Sequence, residues 1–237
     1  MQRYFVKSRD DCNNFVIEPS DLHHIKNVMR NVIGDKIEVV YECQVYTCAI
    51  KELDPLTLEV IDSCSEDRDL PIELTIAVGL VNEQKFDLIL QKLTELGVNT
   101  IIPLKMERSI VKLDDNKIEK KLIRWEKICK EASEQSHRIT IPKIMTPMTL
   151  KELITYPVDK KLICSLNDET KPLDEYLTKD LSSILFVIGP EGGISPKEES
   201  FLIENNFKST TLGKRVLRVE TATIYIASVM NYIYKGW

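Results

Sequence analysis

The chain has 237 residues, enough for one large domain or two modest ones, and its 43% hydrophobic and 29% charged residues are those of an ordinary globular protein. No apolar stretch approaches the roughly 20 residues of a membrane span, and Met1-Gln2-Arg3-Tyr4-Phe5 lacks the apolar core of a signal peptide, so a cytoplasmic location without a membrane partner is expected. The net charge of −5 argues against a nucleic-acid-binding field over the whole surface; the acidic excess lies in residues 1–70 while 105–143 leans basic, so any polyanion contact is local.

The first seventy residues read mainly as strands, over 4–6, 36–41, 45–51 and 57–61. One helix interrupts them. Ser20 is its expected N-cap, 21–30 its body, with Leu22, Ile25 and Met29 on one face, and 31–35 ends it. A small β-barrel domain over 1–70 follows. The polar stretch 63–71, closed by Pro71, reads as a linker. The rhythm then changes. Strands are expected over 74–80, 100–104, 161–165, 183–188 and 208–212. Helices are expected over 84–96, 117–137, 195–205 and 220–234. Phe86, Ile89, Leu90 and Leu93 form the inner face of the first of these, which Gly97 stops. Ile118, Leu122, Trp125, Cys129 and Ala132 form a seam on the second. This alternation predicts an α/β domain over 71–237 with a mostly parallel sheet.

Six scattered cysteines (Cys12, Cys43, Cys48, Cys64, Cys129, Cys164) make no Cys-x-x-Cys pair and no zinc-like spacing with histidine. Cys43 and Cys48 could face each other across a hairpin, but small, buried, reduced thiols are the expected state. His23 and His24 lack the carboxylate or thiol spacing of a metal site, and His137 has no nucleophile motif beside it.

Two loops carry more chemistry than their turns require. Gly189-Pro190-Glu191-Gly192-Gly193 follows a strand and precedes Ser195-Pro196-Lys197-Glu198, a capping box with proline at N1. Glycines at a strand-to-helix turn admit a ligand close to the backbone. The letters match neither G-x-x-x-x-G-K-[ST] nor G-x-G-x-x-G after a first strand, and no lysine follows the last glycine. Glu191 would repel a phosphate. A neutral or cationic ligand, such as an adenosine bearing a sulfonium, fits better, and a plain tight turn rarely needs three glycines. The second loop is Leu212-Gly213-Lys214-Arg215-Val216-Leu217-Arg218-Val219-Glu220-Thr221-Ala222. Its arginines cannot act as bases but can hold a phosphate or a developing anion. A surface arginine paired with Glu220 at a helix start is the plainer account, easier to accept for Arg215 than for Arg218. Lys85, Lys92 and Glu95 share one helix face, as do Glu131, Gln135 and Arg138; most such faces are simply solvated.

These two loops closely resemble those of the SPOUT-superfamily RNA methyltransferases, and more narrowly the ribosomal RNA small-subunit methyltransferase E family. Support comes from His24 to Arg30 followed by Gly34-Asp35, from Gln91-Lys92-Leu93-Thr94-Glu95-Leu96-Gly97-Val98, and from Glu131-Ala132-Ser133-Glu134-Gln135-Ser136-His137-Arg138. The likeness runs nearly the whole chain. It implies a trefoil-knotted parallel sheet over 71–237 and a PUA-like barrel over 1–70 that helps grip RNA, although the acidic barrel departs from the usual picture. It implies S-adenosyl-L-methionine as cofactor, a homodimer, and methylation of N3 of one uridine in 16S ribosomal RNA of the small subunit. Carried over by position, the cofactor residues are Leu166, Gly189, Pro190, Glu191, Gly192, Gly193, Leu212, Gly213, Val216, Leu217, Thr221 and Ala222. The RNA contacts are Arg3, His24, Arg30, Lys85, Lys92, Arg108, Gln135, Arg138 and Arg215. Arg218 is the expected catalytic group, with Glu220 or Glu191 accepting the N3 proton. Two alternatives stay open: another SPOUT methylation, at a ribose 2′-oxygen or guanosine N1, and a non-catalytic ribosome assembly factor.

Overall fold

Alternation of apolar and polar residues over 36–64 is what a sheet with one covered face requires, and a computed structural model, which describes residues 1–66, 68–113, 115–167, 170–178 and 180–234, contains that sheet. β1 (Arg3–Phe5) runs parallel to β2 (Lys36–Tyr41); β3 (Gln44–Leu53) and β4 (Leu56–Cys64) continue antiparallel in the order β1-β2-β3-β4. Glu42 and Cys43, at φ 50° and 60°, make the tight turn between β2 and β3 that a right-twisted hairpin prefers. Tyr4, Ile25, Ile37, Val39, Cys48 and Ile50 form the core of this unit. Its helix differs from expectation. Glu18, not Ser20, is the N-cap, because Pro19 occupies N1 and holds the residue before it extended; α1 is only Pro19–His23. A wider helical turn, His24–Val28, follows, so Ile25 is buried while Met29 is exposed. Strand β4 runs to Cys64, into the expected linker, and Asp67 of that linker lies outside the described residues. The six cysteines are free, but Cys12, Cys43 and Cys64 are exposed rather than buried. Cys43 occupies the turn, and Cys48 pairs with Ile37 instead of facing it.

Contacts group Met1–Asp69 with Ser133–Thr140 as one unit, and Leu70–Ala132 with Ile141–Trp237 as a second. Within the first, Arg3 is fully buried. Its guanidinium donates to Glu38 at 2.9 Å, to Glu66 at 3.1 Å, and to the carbonyls of His137 and Arg138 at 2.8 and 3.1 Å. Five fixed donors suit arginine to such a hub.

The second unit follows the parallel-sheet rhythm. β5 (Glu73–Gly79), β6 (Thr100–Lys105), β9 (Lys160–Cys164), β11 (Ser183–Ile188) and β12 (Lys208–Thr211) are its main strands. With β7 (Lys143–Ile144), β8 (Met148–Thr149) and β10 (Lys171–Pro172), the order is β10-β12-β9-β11-β5-β6-β7, β8 also pairing with β6. Its ladders are parallel. Two cores lie on its two faces, and single strands feed both. Ile184, Phe186 and Ile188 join one cluster; Leu185 and Val187 join the other. Helices α2 (Glu83–Glu95), α3 (Asp115–Gln135) and α6 (Val219–Tyr234) supply the first with Leu90, Leu93, Trp125, Ile226 and Met230. Helices α4 (Leu150–Leu153) and α5 (Pro196–Glu204) supply the second with Leu153 and Leu202. Each such side chain, fully buried, contributes about 1.5–3 kcal/mol. The two-residue strands β7, β8 and β10 are too short to leave a period in the sequence. Helix α4 does leave a mark, the capping box of Thr149 and Glu152. Among the described residues no helix is long and apolar enough to cross a membrane.

The Arg3 hub yields a pH-dependent prediction. Burial by itself would raise the Glu66 carboxyl, but the Arg3 and Arg68 guanidiniums outweigh it and hold that carboxyl below its ordinary value. Such a group stabilises the fold fully above its unfolded pKa of about 4.3, and that stability is lost as pH falls through the lower folded value. Arg3→Met keeps the stem and removes the cation. It is expected to cost about 3 kcal/mol at pH 7 in denaturant unfolding. The gap from the parent chain should narrow as pH drops below about 4.

Candidate active site

In a parallel sheet the loops that leave the carboxyl ends of neighbouring strands share one edge, where α/β proteins bind ligands. Strands β12, β9, β11 and β5 are adjacent in that order. The loops that follow β12, β9 and β11 enclose a cleft of about 930 Å³. Its walls are Cys164 to Asn167 after β9, Ile188 to Ile194 after β11, and Leu212, Gly213 and Arg215 to Glu220 after β12, with Ala222, Lys85, Arg108, Pro196 and Glu199 completing it.

Glycine is required at this edge by space. A β-carbon on Gly79 would meet Pro190 Cδ and N at 2.6 Å, and one on Gly189 would meet the Gly193 carbonyl carbon at 2.9 Å. One on Gly192 would stand 2.9 Å from Arg108 Cβ. Gly193 and Gly213 take φ of 71° and 114°, a region that side chains disfavour. The far end of the first loop is tied down. Ser195 and Glu198 form the expected capping box, Ser195 Oγ donates to Glu107 at 2.8 Å, and the Glu107 amide donates to Glu198 at 2.7 Å. Arg108 donates to the carbonyls of Gly192 and Ile194 at 3.2 and 3.4 Å. Glu107 and Arg108 thus anchor the glycine loop to the segment that follows β6.

Four cations line it, Lys85, Arg108, Arg215 and Arg218, against Glu191, Glu199 and Glu220. Two of those carboxylates are engaged: Lys85 Nζ lies 3.1 Å from Glu191 Oε1, and Asn167 donates to Glu199 at 2.7 Å. Glu220 differs, since its Oε2 is buried with no hydrogen-bond partner. Arg215 and Arg218 are exposed, the latter immediately before α6, where its carbonyl accepts the Ala222 amide at 2.8 Å. Cys164 is half-buried as a residue, yet burial pushes its thiol up to about 12, so this cleft thiol stays protonated and offers no thiolate nucleophile.

Of the twelve residues expected around the cofactor, Leu166, Gly189 to Gly193, Leu212, Gly213, Val216, Leu217 and Ala222 line the cleft. Thr221 does not; it is exposed one step along α6. Leu166 and Val216 are 69% and 78% exposed, large apolar side chains left open beside the cleft. The expected RNA contacts divide. Lys85, Arg108 and Arg215 line the cleft, while Arg30 and Gln135 are exposed in the first unit. His24 Nδ1 bonds Tyr4 Oη at 2.9 Å, and Lys92 is held by Glu95 at 2.8 and 2.9 Å. Arg3 and Arg138 depart from that expectation. Arg3 is fully buried, and the Arg138 side chain, 5% exposed, pairs with Asp69 at 3.2 Å and bonds Thr140, so neither presents a cation to RNA. Sequence reading missed Ser165, Asn167 and Glu199. The placement of β9 between β12 and β11 brings Ser165 and Asn167 to the cleft wall, beside Glu199 of α5.

The sequence matches the RNA methyltransferase domain family over residues 68–231 and the RNA methyltransferase PUA domain family over 17–63. Ribosomal RNA small subunit methyltransferase E of Bacillus subtilis is 37% identical, the match covering 98% of this chain and 96% of the relative. The protein of that name from Mesomycoplasma hyopneumoniae is 32% identical over 95% of this chain and 97% of its own. The crystal structure of ribosomal RNA small subunit methyltransferase E from Neisseria gonorrhoeae, bound to S-adenosyl methionine, superposes with a TM-score of 0.89 at 28% identity, covering 99% of this chain and 98% of that one. A match of this extent, over an α/β domain with a glycine-lined cleft and a PUA-like domain before it, means that the chain belongs to the ribosomal RNA small subunit methyltransferase E family.

Proposed function

We propose that this chain transfers a methyl group from S-adenosyl-L-methionine to N3 of one uridine in 16S ribosomal RNA of the small subunit. The division of labour is a PUA-like RNA-gripping domain over 1–70 and a trefoil-knotted methyltransferase domain over 71–237, working in the cytoplasm as a homodimer. The observation that carries the reading is the cleft: a tight turn that only Gly189 and Gly192 fit, open space beside Gly193 and Gly213, an acid in the glycine loop, and no lysine placed after the last glycine for a phosphate. A cationic nucleoside ligand suits it where a triphosphate does not. The family relationship supports the same cofactor. Cations around an otherwise acidic chain supply the local field that an RNA backbone needs.

Bound there through the Gly189 to Gly193 and Leu212 to Leu217 backbone, S-adenosylmethionine supplies an electrophilic methyl group; the rest is the work of the chain. Uridine N3 carries a proton and is a poor nucleophile until that proton leaves. Glu220, with an unpartnered buried oxygen at the cleft, is better placed to receive it than Glu191, which Lys85 engages. Arg218, beside it, holds the negative charge that appears on the uracil ring as N3 becomes nucleophilic. Holding N3 in line with the methyl carbon is chiefly a positioning task, and a paired uridine must first leave its helix.

The direct test is transfer of labelled methyl from S-adenosylmethionine to under-methylated small subunits, with the product nucleoside identified. 3-Methyluridine is the expected product, and a 2′-O-methyl nucleoside or 1-methylguanosine would overturn the assignment. Arg218→Ala is expected to slow single-turnover methylation about 10²–10³-fold while leaving cofactor affinity nearly unchanged, with Arg218→Lys recovering only part of the rate. The dimer reading draws on α6, where Tyr225 and Tyr232 share an exposed face turned away from the buried Ile226 and Met230, and Ile233 is exposed near the end of the helix. Light scattering at micromolar protein should give twice the 27.3 kDa chain mass.

A further inference from the structure

Glu199 is a buried carboxylate, 8% exposed, in the wall of the cleft, and methyl transfer as outlined above makes no use of it. Among the described residues no cation pairs with it. Burying a carboxylate is costly unless hydrogen bonds satisfy it. Its bonds come from two other elements: Asn167 Nδ2, in the loop after β9, at 2.7 Å, and Ser209 Oγ, on β12, at 3.5 Å. The Asn167 backbone is held as well. Its amide donates to Ser165 Oγ at 3.1 Å, and its carbonyl accepts from Thr170 Oγ1 at 2.9 Å. A carboxylate only accepts hydrogen bonds, whereas an asparagine amide both donates and accepts. The side-chain nitrogen of Asn167 must therefore turn to Glu199. Its oxygen is left as the acceptor, on an exposed residue that lines the cleft.

We infer that Glu199 is a positioning residue that locks Asn167 as a hydrogen-bond acceptor for one N–H or O–H donor of the cofactor. The inference rests on the cofactor assignment made above and adds a polar selectivity element that the glycine loops lack. Were residue 199 a glutamine, its own amide could donate to Asn167 and let that side chain flip to present a donor. The lock thus depends on the carboxylate rather than on the shape of the side chain.

Calorimetric titration of S-adenosylhomocysteine into the full chain, Asn167→Ala, Glu199→Gln and the double variant tests this. Asn167→Ala should weaken binding five- to tenfold, in line with the net worth of one hydrogen bond, and Glu199→Gln two- to fivefold. The double variant should bind no more weakly than Asn167→Ala, because both changes remove the same contact. Analogues lacking the exocyclic amine, the ribose 2′-hydroxyl or the amino-acid ammonium identify the donor: the analogue without it should be indifferent to Asn167→Ala. Unchanged affinity in either single variant, additive losses in the double, or equal losses with all three analogues overturns the inference. A parent chain that binds none of these ligands overturns the cofactor reading, and this inference with it.

Discussion

The cleft exists because two backbones touch. The end of β5 lies so close to Pro190 that a β-carbon on Gly79 would stand 2.6 Å from it. The register of the sheet imposes this closeness: Ile188 pairs with Val78, so the chain leaving β11 begins its turn where β5 ends. Four of the eight glycines, Gly79, Gly189, Gly192 and Gly193, gather at this turn. Space explains three of them and a left-handed backbone the fourth. A ligand site built this way is preorganised. The turn holds its shape before a ligand arrives, so less ordering entropy remains to be lost on binding.

Charge is sorted by a similar economy. Arg3 and Arg138 are spent on the interior of the first unit, where carbonyls and carboxylates absorb their donors. Arg108 ties the glycine loop through its carbonyls. Arg215 and Arg218 stay exposed at the cleft. An acidic protein can thereby act on a polyanion through a small basic rim, with attraction confined to the Debye length of about 8 Å at physiological salt. Acids take complementary duties. Glu198 caps α5 and fixes Glu107 in the loop after β6, Glu199 fixes the loop after β9, and Glu220 keeps one oxygen unengaged.

Much of this was legible in the chain. A short apolar run such as Ile184 to Ile188, closed by Gly189 and Pro190, reads as a strand covered on both faces, and 3.6-residue spacing such as Phe86, Ile89, Leu90 and Leu93 reads as the buried side of a helix. Ser195 and Glu198 announced the start of α5, and the glycine loops announced a ligand. These are local properties, written in period and in turn chemistry. The start of α1 is less legible: Ser20 is a good cap by type, but Pro19 one residue earlier takes N1, so the helix begins before it. What only the tertiary structure decided is which arginines face water and which residues meet at the cleft. Arg3 and Arg218 look alike in sequence. One is enclosed by Glu38, Glu66 and two carbonyls contributed by residues more than 130 positions away, and the other stands at the mouth of a cleft. Asn167 and Glu199 lie 32 residues apart and meet because β9 is inserted between β12 and β11. Strand order is set by long-range packing, and no local period encodes it.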